Sequence, residues 1–167
     1  MDDNNNVINN TIYGGGISVS VVGSNNLIEG NTIYATDGTG IGFGYGAHDN
    51  ASFKARDNTI ITTGENTAIK ITKNNCVVEN NIIKSENAPA VNVSSSNNIV
   101  RNNVINSKNN EDIIVTGENN IIENNSHTII TPENFKTFFN DDGTLKEEYK
   151  DSTLLFEGEL KILQILL

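Results

Sequence analysis

Short apolar pairs alternate with polar corners along most of the chain, and the apolar positions follow no 3.6-residue period. One phrase recurs: two Asn, two apolar residues, a polar residue, Asn or Gly, Asn, then a short apolar pair. It reads Asn25-Asn26-Leu27-Ile28-Glu29-Gly30-Asn31-Thr32-Ile33, and again Asn97-Asn98-Ile99-Val100-Arg101-Asn102-Asn103-Val104-Ile105. A third clean copy is Asn119-Asn120-Ile121-Ile122-Glu123-Asn124-Asn125, with looser copies at 6–12 and 76–83 and the most degenerate at 53–60. Aligned on the last Asn, the copies fall at Asn10, Asn31, Asn58, Asn81, Asn103 and Asn125, in steps of 21, 27, 23, 22 and 22 residues. Between copies lie alternating segments such as Ile17-Ser18-Val19, Ile69-Lys70-Ile71 and Val91-Asn92-Val93. Period-two alternation of β-branched residues marks a strand with one buried face.

Each unit therefore holds three short strands joined by polar corners, enough for one turn of a parallel β-helix. A single turn cannot bury its apolar side chains alone. Stacked turns pair strand on strand about 4.8 Å apart and build a continuous core. Three inward columns follow. One is Val7, Ile28, Ala55, Val78, Val100, Ile122. A second is Ile12, Ile33, Ile60, Ile83, Ile105, with His127 where the pattern ends. A third draws one residue from each alternating strand, Ile17 to Ile113. The aligned Asn sits at a sharp corner, where Asn tolerates left-handed backbone angles and bonds nearby backbone. Stacked at an inward corner, Asn10, Asn31, Asn58, Asn81, Asn103 and Asn125 form an amide ladder, a structural role.

The phrase Asn-Asn-Ile-Ile-Glu-Asn-Asn resembles the right-handed parallel β-helix repeats of the pectin-lyase-like superfamily. It is most similar to the adhesin-like surface proteins of methanogenic archaea, which carry long Asn- and Ile-rich arrays. The resemblance covers residues 4 to about 130 and implies an all-β, single-stranded, right-handed parallel β-helix of about six coils. The same column hosts both enzymes and passive surface arrays.

The organisation expected is a repeat domain over residues 1–130 and a C-terminal capping or linker segment over 131–167, read as truncated. Thr131-Pro132-Glu133 is a helix start, with Thr as N-cap and Pro at the first helical position. Phe135, Phe138 and Phe139 then share one helical face, suited to lidding an open β-helix end. Residues 152–156 read as a strand, and 161–167 as the start of a further element.

Composition narrows the chemistry. There are 30 Asn, 22 Ile, one Cys and two His, with a formal net charge of −10 and a pI near 4.5. So acidic a chain disfavours nucleic acid and anionic membranes. Cys76 alone excludes an intrachain disulfide framework and a Cys-rich zinc site. No apolar run is long enough to span a bilayer, and residues 1–4 do not begin a signal peptide. We expect no cofactor and no membrane insertion by this segment.

A polysaccharide hydrolase needs carboxylates on adjacent coils of one face. The outward residues of the alternating strand are Ser18, Ser20, Gly42, Gly44, Lys70, Asn92 and Ile114, with no acid among them. Asp37, Asp49, Asp57 and Asp112 fall in different parts of their coils, so neither catalytic nor metal-ligating residues are assigned. Glu29, Glu79 and Glu123 share an outward column with Ile8, Arg56 and Arg101, read as a solvated face worth ~0–1 kcal/mol per pair. Residues 140–144 have a faint calcium-loop pattern but lack its alternating acids and distal Glu, and read as a plain turn. Four sequons are present, with Asn50 and Asn92 the more plausible acceptors.

The 27-residue step carries the longest insertion, rich in Gly, and places Tyr13, Tyr34, Tyr45 and His48 as candidate glycan contacts. The resemblance implies a non-enzymatic, extracellular stalk with surface glycans or partner-cell components as its partners. The alternative it leaves open is a polysaccharide lyase or glycoside hydrolase.

Overall fold

The computed structural model describes residues 4–19, 23–44, 47–107, 112–125, 129–130, 140 and 155–156. The chain winds through three strands per turn. The first coil holds β1 (Asn6–Ile8), β2 (Thr11–Tyr13) and β3 (Ile17–Val19). The second holds β4 (Asn26–Glu29), β5 (Thr32–Ala35) and β6 (Ile41–Phe43). The third holds β7 (Phe53–Arg56), β8 (Thr59–Thr62) and β9 (Ile69–Ile71). The fourth holds β10 (Val77–Glu79), β11 (Ile82–Ser85) and β12 (Val91–Val93), and the fifth β13 (Ile99–Arg101), β14 (Val104–Ser107) and β15 (Ile113–Val115). Among the described residues β16 (Ile121–Glu123) of a sixth coil joins them, giving five complete coils and the first strand of a sixth.

Three parallel sheets result. Sheet one runs β1-β4-β7-β10-β13-β16, sheet two β2-β5-β8-β11-β14, and sheet three β3-β6-β9-β12-β15. This is an all-β, right-handed parallel β-helix, and no helix occurs among the described residues. The anticipated columns are in strict register: Val7, Ile28, Ala55, Val78, Val100 and Ile122 align through sheet one. Ile12, Ile33, Ile60, Ile83 and Ile105 align through sheet two. Ile28, Ile33, Ile41, Ile60, Ile69, Ile71, Ile83 and Ile105 are almost wholly enclosed. Burying each such side chain stabilises the fold by about 1.5–3 kcal/mol. The isoleucine enrichment thus follows from stacking the same inward position once per coil.

The corners divide their work between two neighbouring residues. Asn9, Gly30, Asp57, Asn80, Asn102 and Asn124 adopt φ of +53 to +63°, and each immediately precedes a ladder Asn. The sequence reading put the left-handed bend on the ladder residue itself; it belongs to the residue before it. Asn suits that position because its short amide reduces the cost of left-handed backbone, and Gly30 meets no such cost. Gly30 is further constrained, because a Cβ there would lie 2.3 Å from Asn9 Oδ1.

The second residue of each pair then turns inward. The backbone N–H of Asn10, Asn31, Asn58, Asn81 and Asn103 donates to Oδ1 of the next ladder Asn at 2.9–3.0 Å. The Nδ2 of each donates to the same oxygen at 2.9–3.1 Å. Nδ2 also reaches back to a sheet-one carbonyl of the preceding coil, as Asn81 does to Ala55 O at 2.9 Å. Each interior amide thereby uses both donors and both acceptor sites, which is what permits its burial.

Of the strand expected over 152–156, residues 152–154 lie outside the described residues, and β18 (Leu155–Phe156) pairs in parallel with β17 (Ile129–Ile130). The helix and lid proposed around Phe135, Phe138 and Phe139, and the end of the second column at His127, lie outside the described residues.

Candidate functional site

Alternation that fills the core also fixes what each sheet shows to solvent. On sheet three the outward column begins Ser18, Gly42 and continues Lys70, Asn92, Ile114. Around it lies an open groove of about 260 Å³ lined by Gly16, Ile17, Ser18, Thr39, Gly42, Phe43 and Lys70. Its floor is low because residue 42 has no side chain; a Cβ there would sit 3.2 Å from Thr39 Cγ2. Phe43 also lines it but is half-buried, its ring packing inward on the core 5.1 Å from that of Phe53 and tilted by 34°. Lys70 is exposed and supplies an ammonium, while Ser18 supplies an exposed hydroxyl. Below the ~300–1,000 Å³ of enclosing ligand sites, such a groove fits a chain laid along a surface rather than an engulfed metabolite.

Tyr13 and Tyr34 sit elsewhere, on the outward face of sheet two. Their rings stack at 4.9 Å and 11° between planes, because they occupy the same position in successive coils. Tyr13 is 65% exposed whereas Tyr34 is 6% exposed, so the pair offers the Tyr13 ring alone. Burial, and then the neighbouring Tyr13, raise the Tyr34 phenol above its usual range. His48 is exposed in the insertion after β6, beside Asp49, which bonds Lys73 Nζ at 2.9 Å. That bond lowers the Asp49 carboxyl. Tyr45 lies outside the described residues. Of the described candidate glycan contacts, Tyr13 and Tyr34 lie on sheet two and His48 in the insertion, and none of these three is among the described residues lining the sheet-three groove.

The acids do not converge. Asp37 lies in the turn between sheets two and three, Asp57 between sheets one and two, and Asp49 in the insertion. Asp112 accepts a bond from Ser107 Oγ at 3.0 Å. Burial raises the Asp57 carboxyl despite the neighbouring Arg56. Among the described residues no group of three His, Cys, Asp or Glu is placed to hold a metal ion.

The charged column of sheet one holds the residues the sequence placed there, but at Glu79 it is less solvated than expected. Glu29, Arg56, Glu79, Arg101 and Glu123 follow one another in register. Arg56 bonds Glu29 at 2.9 Å, and Arg101 donates from Nε and Nη2 to Glu79 Oε2 at 2.9 and 2.8 Å. Lys54 pairs with the other Glu79 oxygen. Lys54 and Arg101 crowd over Glu79 and leave it 7% exposed, so at that one residue the face is not solvated as expected. Burial raises its carboxyl, but the bonds from Lys54 and Arg101 together outweigh that and hold it below the usual range.

A second polar ladder escaped the sequence reading. Asn5 donates to Asn26 Oδ1 at 3.1 Å, and Asn98 to Asn120 Oδ1 at 2.8 Å. Between these pairs the register places Phe53 and Cys76 at the same corner. Cys76 keeps one rung, its N–H donating to Asn98 Oδ1 at 2.8 Å. Its thiol is wholly enclosed, and burial pushes it up to about 12. The second Asn of each Asn-Asn pair before an apolar pair carried the signal for this ladder.

No protein-family model matches the sequence, and no curated protein or solved structure matches it.

Proposed function

We propose that the chain is a structural and adhesive module, a β-helical stalk of a cell-surface protein that presents its faces and loops to carbohydrate or to another cell. The observation that carries this reading is the sheet-three groove: a glycine floor, a hydroxyl and an ammonium on a regular column. Sugar rings stack their C–H faces on aromatic rings, and their hydroxyls take bonds from groups such as Ser18 and Lys70. An open groove along parallel strands suits a repeating polymer. The buried amides, by contrast, are committed to joining coils. The exposed Tyr13 ring is a stacking surface on sheet two.

A glycan array and a cell-binding assay on the chain test this. The expected result is retention of a polysaccharide that drops by roughly tenfold or more with Lys70→Ala, a loss of about 1.4 kcal/mol. Tyr13→Ala should lower it only if sheet two also takes part. Absence of any binding reduces the module to a mechanical spacer. Turnover of a polysaccharide, abolished by Lys70→Ala, would replace this reading with the enzymatic one.

A further inference from the structure

Sheet one turns two columns of side chains outward. Nearer the ladder corner run Glu29, Arg56, Glu79, Arg101 and Glu123, and beside them run Leu27, Lys54, Val77, Ile99 and Ile121. These positions carry three cations and three carboxylates, so their charges balance. The chain as a whole carries a formal net charge of −10, and two copies repel unless they meet where charge is balanced. The side chains of Lys54, Arg56 and Arg101 are 42%, 38% and 41% exposed on this face. Leu27, Val77 and Ile99 are half-buried beside them, so the face is apolar along one column and charged along the other.

The order of the signs matters as much as their sum. From the second coil to the fifth it reads minus, plus, minus, plus: Glu29, Arg56, Glu79, Arg101. Such a series is its own complement when reversed. Consider a two-fold axis between two sheet-one faces, parallel to the strands and level with the gap between β7 and β10. It reverses the order of coils but keeps each column opposite itself. The second coil of one copy then faces the fifth of the other, and the third faces the fourth. The internal ion pair Glu29–Arg56 meets the pair Arg101–Glu79 with signs opposed, and Leu27 meets Ile99. Glu123 faces Ile8, so no carboxylate meets a carboxylate. The alternative two-fold, parallel to the column, reverses the strands and lays the charged column on the apolar one.

We infer that a second copy of this chain docks face to face on sheet one, with coil order reversed about that axis. The contact is isologous and closes as a dimer. Apolar contact between Leu27 and Ile99 supplies attraction, and the opposed ion pairs select the register. The six strands of sheet one span only about 24 Å from first to last. So small a face buries less than the ~1,600 Å² of a standard stable interface, which makes the dimer a weak one. It uses sheet one alone and is independent of the sheet-three groove and of carbohydrate binding.

Cysteine cross-linking tests the register on the whole chain. Within one copy, positions 27 and 99 lie three rungs apart, about 14 Å. An internal disulfide is excluded, since it needs Cα atoms within about 7 Å. Across the axis the two positions face each other. The variant carrying both Leu27→Cys and Ile99→Cys is therefore expected to form a covalent dimer under mild oxidation. Leu27→Cys alone and Ile99→Cys alone should remain unlinked, and a mixture of the two should link. Cys76 is wholly enclosed and takes no part. Circular dichroism establishes that each variant is folded; should the double variant fail, Glu29→Cys with Arg101→Cys, which face each other in the same way, replaces it. Sedimentation velocity of the wild type up to about 1 mM should show a reversible approach to twice the monomer mass. Absence of cross-linking in the folded double variant overturns the inference. So does a single variant that links as readily as the double, or a wild type that stays monomeric throughout.

Discussion

A single asparagine pair shows how residue chemistry becomes geometry. Asn80 takes the left-handed bend, and Asn81 then spends its whole amide on neighbouring coils. Alanine at position 81 removes those bonds and leaves the N–H and one Nδ2 hydrogen of Asn58 buried without an acceptor. At about 1–3 kcal/mol per orphaned group, the loss is roughly 2–6 kcal/mol. Asn10→Ala, at the exposed first rung, should cost under about 1 kcal/mol. Urea midpoints at unchanged slope measure both, and equal shifts would show that the ladder is not what holds the interior corners. The position of this ladder was legible because the same letter recurs at one point of each copy. Which of two adjacent Asn bends and which bonds was not legible, since both are Asn in most copies and only φ separates them. The second ladder was obscured for a related reason: Phe53 and Cys76 replace its amide in consecutive coils.

Strands of the three stacked sheets are three or four residues long and gain meaning only from their neighbours. Alternation within each strand was enough to assign Val78 inward and Glu79 outward, and hence to foresee the charged column. Its burial was not foreseeable, because it depends on Lys54 and Arg101 folding over one carboxylate from adjacent coils. That burial has a pH signature. Glu79 is held below its ordinary value of 4.5, so its contribution is complete above that pH. It is lost as pH falls through the lowered folded-state value. Glu79→Gln should cost about 1–2 kcal/mol at pH 7, a modest figure because both cationic partners are two-fifths exposed and screened. The penalty should shrink as the solution is made acidic. Chemical unfolding at pH 7 and near pH 3 checks this, and a penalty unchanged between them would remove the linkage. The groove on sheet three lay partly in view: Ser18, Gly42 and Lys70 were readable as one outward column. Phe43 was assigned to the core, and its ring packs there against Phe53.

At the scale of the molecule, every side chain in the interior belongs to a stack that runs the length of the column. Cys76 is a reporter placed in that stack. It is wholly enclosed, and its thiol is pushed up to about 12. A thiol reagent at pH 8 should therefore modify it only through opening of the column, at a rate that rises with urea in step with unfolding. Fast stoichiometric modification without denaturant would show that the third and fourth coils separate readily. Register has a further consequence. The fourth, fifth and sixth corners are spaced by the same 22 residues, and their strands pair with no slip in any sheet. A segment of that length duplicated in tandem presents to its neighbours the surface they already meet, and a deleted one leaves the remaining seam intact. Length in such a rod is a genetic variable, adjustable one rung at a time by unequal recombination, with no invention of new contacts required.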